Sequence, residues 1–213
     1  YKKFDLVVWS LFNKSLLIGT HPAPRRLITL PKIVQKKGEY LTIDELKSLD
    51  YNKCDNPQYA KGFMFACYTG LRSSDITLLK WEDVRTKDNG DMYIYIAMDK
   101  GDEPIVIPLI DQALDLMGER QEDSARVFPY FTYHGNNNNR LYYWLKLSGI
   151  NKKLTFHDSR GSFITNIIVK TNGNLEITRR LAGHKDLKTT QRYNKLIDEG
   201  KDDAMDLLQK ALQ

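Results

Sequence analysis

The chain is poor in several features that define whole classes of protein. It has two cysteines in 213 residues, Cys54 and Cys67, too few for the disulfide framework of a small secreted domain. Both fall in a stretch that reads as helix, where core packing is their expected role, and a reducing, cytoplasmic setting follows. No apolar run approaches the roughly 20 residues of a membrane span, and no signal-peptide pattern opens the chain. A soluble protein is expected. No repeat recurs at the periods of solenoids. His157 and Asp158 are adjacent, but no other His, Cys or acid stands at ligand spacing beside them, so no metal or other cofactor is expected.

Positive charge is present in excess, and unevenly. The net charge is +5, a mild pointer to an anionic partner. From Arg140 to Lys195 there are twelve Lys or Arg against the three acids Asp158, Glu176 and Asp186. The tail reverses this, with Asp198, Glu199, Asp202, Asp203 and Asp206 against Lys201 and Lys210. A solvated basic face and a nucleic-acid surface both fit such a run. Chemistry has to decide between them.

Along the chain, Leu6, Trp9, Phe12, Leu16 and Leu17 recur at helical intervals between Asp5 and Ile18. Gly19, Pro22, Pro24 and Pro31 break the pattern among Arg25, Arg26, Lys32, Lys36 and Lys37, which predicts a basic, extended strap. Residues 1–38 therefore read as the tail of a truncated upstream domain plus its linker, and 39–213 as a second domain. Thr42 followed by Glu45 predicts a capping box that opens that domain. Tyr59 to Thr69 reads as a buried helix closed by Gly70, with a second helix from Arg72 to Leu79. Met92, Ile94 and Ile96 alternate with Tyr93, Tyr95 and Ala97, and Ile105 to Ile107 resume after Gly101 to Glu103; this predicts a β-hairpin. Helix is expected after Pro108, from Arg140 to Leu147, and through most of the chain after His157, with Gly135 to Asn139 as a loop. The fold class is mainly α with a small antiparallel β-sheet.

Taken in order, Arg72, Lys100, His157, Arg160, His184 and Tyr193 form a constellation of cations, imidazoles and one late tyrosine suited to phosphoryl transfer. Their contexts are Thr69-Gly-Leu-Arg-Ser-Ser-Asp75, the hairpin Lys100, Phe156-His-Asp-Ser-Arg160, Leu181-Ala-Gly-His184, and Tyr193 nine residues later within Lys188-Thr-Thr-Gln-Arg-Tyr-Asn-Lys195. Each piece alone is weak. Together, from about Tyr40 to Tyr193, they resemble the catalytic signatures of the tyrosine recombinases, the integrases of phages and other mobile elements.

The physics asks for these residue types. In-line attack at a phosphodiester concentrates charge on two non-bridging oxygens, which planar guanidinium forks such as Arg72 and Arg160 match. Asp75, one helical turn after Arg72, could pair with it; the resemblance makes Asp75 the group that holds that guanidinium in place. An unperturbed tyrosine ionises near pH 10, so only about one molecule in a thousand carries a phenolate at neutral pH. The resemblance casts Tyr193 as nucleophile and His157 as base or as hydrogen-bonding partner of the phosphate. It makes His184 a third phosphate donor, with Gly183 letting backbone approach DNA, and Lys100 the general acid for the 5′-oxygen. Lys87 is the reserve for that last role.

Two positions depart from the family pattern. Ser159 stands where an apolar residue is usual, and Gly161 where a second histidine is common. The resemblance further implies double-stranded DNA as partner, self-association on it as a tetramer, and an acidic tail, with Ala204, Met205, Leu208, Ala211 and Leu212 on one stripe, that docks on a neighbouring subunit. A type IB topoisomerase, which uses much the same constellation, and a catalytically silent DNA-binding module are the alternatives.

Overall fold

The computed structural model describes residues 39–96, 104–133, 137–184 and 186–191. All of them belong to the second of the two units into which the chain divides, Gly38–Gln213. The expected helix over 5–18, the basic strap, the hairpin turn with Lys100, Tyr193 and the acidic tail lie outside the described residues.

Thr42 starts the first helix as its sequence dictates. Glu45 N–H donates to Thr42 Oγ1 at 3.3 Å and Thr42 N–H donates to Glu45 Oε2 at 2.8 Å, the reciprocal pair that opens α1, Ile43–Ser48. Lys152 then ties this end of the chain down, donating to Glu45 Oε2 at 2.6 Å and to the Tyr40 carbonyl at 2.8 Å. Burial pulls the Glu45 carboxyl upward, but the Lys152 ammonium and the Thr42 N–H outweigh it and hold the group below its ordinary range. A carboxyl depressed in the fold stabilises it above the unfolded pKa, about 4.3, and that contribution is lost as pH falls through the lower folded value. Glu45→Gln is therefore expected to cost about 1 kcal/mol at neutral pH and progressively less in acid, as pH falls below the ordinary carboxylate range. Urea titrations at neutral and acid pH check it.

Helix α2, Pro57–Thr69, has Pro57 in its first turn and Asn56 Oδ1 capping the Tyr59 N–H at 3.0 Å. It is apolar nearly all round because it runs through the centre, burying Tyr59, Phe63, Phe65 and Ala66 completely. Its end needs a left-handed residue, and Gly70, at φ 72°, supplies one. A Cβ there would also come within 2.5 Å of the Phe163 ring. Helix α3, Ser73–Leu78, follows at once, with Arg72 as its extended cap residue.

The sheet holds one strand more than the sequence predicts. β1, Val84–Thr86, leaves the single turn of 3-10 helix Trp81–Asp83 and pairs antiparallel with β2, Met92–Ile96, which pairs antiparallel with β3, Ile105–Pro108. Three residues are too few to show an alternation. In register, Val84 lies opposite Ile94 and Ile94 opposite Ile107, and these three side chains are the buried line of the sheet.

After β3 come α4, Asp111–Met117, and α5, Asn137–Leu147. The expected loop over Gly135 to Asn139 is thus corrected from Asn137 on. Asn137 starts a helix because its side chain is spent locally: Nδ2 donates to the Thr132 carbonyl at 3.3 Å and Oδ1 accepts from Arg140 at 3.1 Å. Cys54 also departs from expectation. It follows the 3-10 turn Tyr51–Lys53 rather than lying in a helix, while Cys67 lies in α2, and both are buried free thiols.

Helix α6, His157–Lys170, packs along α2. Phe156, immediately before it, meets Tyr59, Phe63, Phe131 and Tyr133 with ring centroids 5.4–5.7 Å apart, so an aromatic cluster sets where α6 begins. Ser162 Oγ accepts the Leu41 N–H and Asn166 donates to the Leu41 carbonyl, both at 2.9 Å, fastening the segment before α1 to the same helix. Helices α7, Leu175–Leu181, and α8, Leu187–Gln191, complete the described residues. None of the described helices is long and apolar enough to cross a membrane.

Candidate active site

Arg160 organises the site. It is 6% exposed, and its guanidinium donates from Nη1 to the Gly70 carbonyl at 2.6 Å and from Nη2 to the Ala182 carbonyl. Gly70 ends α2, two residues before Arg72; Ala182 ends α7, two residues before His184. One side chain therefore joins three stretches far apart in sequence. The planar fork suits this task, because its donors point in fixed directions and two acceptors hold it against rotation.

Arg72 and His157 stand beside it. With Arg160 they line a cleft of about 240 Å³ whose other walls are Leu71, Ser73, Ser74, Tyr133, Phe156 and Ser159. His157 is the exposed first residue of α6, and Asp158 braces that start by accepting from the Thr155 N–H and hydroxyl, both at 2.7 Å. Ser159, where the family has an apolar residue, satisfies itself: its buried hydroxyl donates to the Phe156 carbonyl at 2.6 Å. Roomier clefts of about 560 and 370 Å³ lie beside Tyr142, Tyr143 and Lys153 and beside Tyr68, Phe163 and Leu181. Volume is a poor guide here, since the smaller cleft gathers the two arginines and the histidine.

Asp75 acts on Arg72 mainly through the main chain. Its Oδ2 accepts the Arg72 N–H at 3.0 Å, while the guanidinium is 3.9 Å away. The expected grip on the guanidinium is thus a loose ion pair, and the tight bond pins the backbone of the residue that caps α3. The Arg72 side chain stays 51% exposed, open to an anion arriving from solvent.

His184 is placed by its neighbours on α7 and α8. Its N–H donates to the Arg179 carbonyl at 3.0 Å, its carbonyl accepts from Arg179 Nη1 at 3.0 Å, and its Nδ1 lies 2.9 Å from Thr190 Oγ1. Glu176 holds Arg179 with two bonds of 2.9 and 3.0 Å and Arg180 with one of 2.8 Å. Arg179 first and then Arg180 draw the Glu176 carboxyl down to about 2. Gly183, at φ 59°, makes a left-handed turn, and a Cβ there would come within 2.5 Å of Ile105 on β3. His184 does not line the cleft of Arg72, His157 and Arg160; the Arg160 bond to Ala182 is its link to them. Lys100 and Tyr193 lie outside the described residues. The reserve Lys87 sits exposed in the β1–β2 turn, its N–H bonded to the Asp91 carbonyl at 2.9 Å.

Sequence reasoning missed three parts of this arrangement: the Gly70 and Ala182 carbonyls, Tyr133, and Thr190. Backbone acceptors carry no side-chain signature. Thr190 stood in a quoted motif, and its spacing from His184 was the available signal.

Comparison with known proteins bears on the fold and the family. The family model described as the phage integrase family matches residues 39–199. A tyrosine recombinase of Thermosipho africanus is 27% identical over 207 residues, 92% of this chain and 71% of that protein. Tyrosine recombinase XerD of Listeria innocua is 28% identical over 191 residues, 80% of this chain and 62% of that protein. Among solved structures, XerA recombinase superposes with a TM-score of 0.55 at 21% identity, over 76% of this chain and 63% of that one. XerH site-specific recombinase bound to its difH substrate before cleavage gives 0.58 at 18% identity, over 90% and 60%. These likenesses establish the fold, mainly helical with a small antiparallel sheet. The chain spans 60% to 71% of the length of these proteins. With the family model covering most of its length, the chain belongs to the phage integrase family.

Proposed function

We propose that this chain is the catalytic domain of a site-specific DNA recombinase that cuts and rejoins double-stranded DNA through a covalent bond to Tyr193, with neither metal nor ATP. The observation that carries the reading is Arg160: its guanidinium, fixed on the Gly70 and Ala182 carbonyls, draws the stretches bearing Arg72 and His184 toward the helix bearing His157. A phosphodiester in the cleft meets two guanidinium groups, and that of Arg160 is already held in place as charge develops on the phosphate oxygens. Tyr193 Oη bonds to phosphorus while the bond from phosphorus to the deoxyribose 5′-oxygen breaks. His157 takes the phenol proton, and Lys100 gives one to the leaving oxygen. The product is a 3′-phosphotyrosine and a free 5′-hydroxyl. Because a phosphodiester is exchanged for a phosphodiester, rejoining by the reverse steps needs no energy source.

The proposal extends to assembly. Residues 1–38 are read as the end of an upstream DNA-binding domain and its linker, and four copies pair two DNA sites, each acidic tail packing on a neighbour. Deleting Asp198 onward is expected to leave the affinity for a single site within a few-fold and to remove the higher assembly on DNA seen by light scattering. Unchanged assembly contradicts it. Affinity itself is expected to fall steeply with salt, since phosphate neutralisation supplies it.

The experiment for the function is covalent capture in EDTA from a pool of randomised nicked duplexes, followed by strand exchange between two duplexes carrying the captured sequence. Capture followed by exchange supports a recombinase. Capture with relaxation of supercoils but no exchange would make it a type IB topoisomerase, and no capture from the full pool would favour a silent DNA-binding module.

A further inference from the structure

A threonine inside a helix habitually donates its hydroxyl proton to the carbonyl one turn back. Thr69, Thr77 and Thr178 do so here, as does Thr171 just past the end of α6, at 2.7–2.8 Å. Thr190, on α8 and fully buried, turns its hydroxyl elsewhere, to within 2.9 Å of His184 Nδ1. A buried hydroxyl has to place its proton on an acceptor. Among the described residues the recorded partner of Thr190 Oγ1 is that ring nitrogen. If Oγ1–H donates to Nδ1, then Nδ1 is the acceptor and the neutral ring carries its hydrogen on Nε2.

We infer that Thr190 is a positioning residue for His184, holding the imidazole in the Nε2–H tautomer so that it presents a donor to the scissile phosphate. The assignment of His184 to the phosphate rests on the proposed function; the tautomer does not. With the opposite tautomer Nε2 would turn a lone pair toward an anionic oxygen, which repels where a donor attracts. The main chain of His184 is already fixed by Arg179 through both its N–H and its carbonyl, so the backbone holds its place and Thr190 sets the ring's proton.

The test reads the tautomer directly. The chain has four histidines, and two-bond proton–nitrogen correlations on ¹⁵N-histidine-labelled protein at about pH 8, where an unperturbed imidazole is neutral, separate the tautomers. His184→Gln assigns the signal. The native chain is expected to show Nε2–H, Thr190→Ser to keep it, and Thr190→Val, which trades hydroxyl for methyl at equal volume, to add a population of Nδ1–H. Cleavage of the captured duplex is expected to fall about 10- to 100-fold in Thr190→Val, the usual loss when the partner of a site histidine is removed, and to be restored within a few-fold by Thr190→Ser. An Nδ1–H ring in the native chain, or a Thr190→Val ring like the native one, overturns the inference. Undiminished cleavage by His184→Gln would instead remove His184 from the phosphate and leave the tautomer result standing.

Discussion

Arg160→Ala is expected to reduce DNA cleavage by a factor of about 1000 or more and to lower the stability of the fold at the same time. The two losses have one origin. The guanidinium that the proposal places on the phosphate is also the partner of the Gly70 and Ala182 carbonyls, and Arg160 is 6% exposed. Alanine leaves both acceptors without a donor in a place water reaches poorly, at about 1–3 kcal/mol for each, so a loss of about 3 kcal/mol in urea unfolding is expected. Loss of one preorganised donor to a developing oxyanion costs about 100- to 1000-fold, and the loosened Gly70 and Ala182 ends carry Arg72 and His184 away with them. Arg160→Lys is the sharper variant. It keeps the charge but has no fork to span two carbonyls, so cleavage is still expected to fall more than about 100-fold, with a smaller loss of stability.

Arg72→Ala is expected to damage cleavage severely, though less than Arg160→Ala, and to be harmless to the fold. Its side chain is 51% exposed and 3.9 Å from its acidic neighbour, and the bond that caps α3 uses its backbone N–H, which alanine retains. Cleavage is expected to fall about 100- to 1000-fold, while stability stays within about 0.5 kcal/mol. Asp75→Asn should move both quantities modestly, because it weakens the cap and the ion pair together. If Arg72→Ala unfolds the domain, or cleaves like the native chain, the division of labour between the two arginines is wrong.

The elements that could be read in advance are those whose signal is local. Thr42 with Glu45, the apolar stretch ending at Gly70, and the alternating Ile94 and Ile107 each announce themselves within a few residues, and the structure places them accordingly. Strand β1 and the start of α5 could not be read that way. Val84–Thr86 becomes a strand only because β2 lies alongside it, and Asn137 opens a helix because Thr132 and Arg140 occupy its side chain. For the site, residue types and order named Arg72, His157 and Arg160, which share one cleft. What they do to one another was hidden. The two contacts of Arg160 that join the site are with backbone carbonyls, which carry no side-chain signature in the sequence. Gly183 carries a further requirement that its neighbours in sequence do not announce, a left-handed turn against Ile105.

Tyr193 is expected to become bonded to DNA, and that bond can be looked for directly. The covalent complex captured in EDTA would be digested with nuclease and trypsin and the nucleotide-bearing peptide sequenced by mass spectrometry. One modified residue is expected, Tyr193, carrying a 3′-linked nucleotide, and no complex is expected from Tyr193→Phe. A nucleotide on any other residue, or a complex that survives Tyr193→Phe, would contradict that expectation.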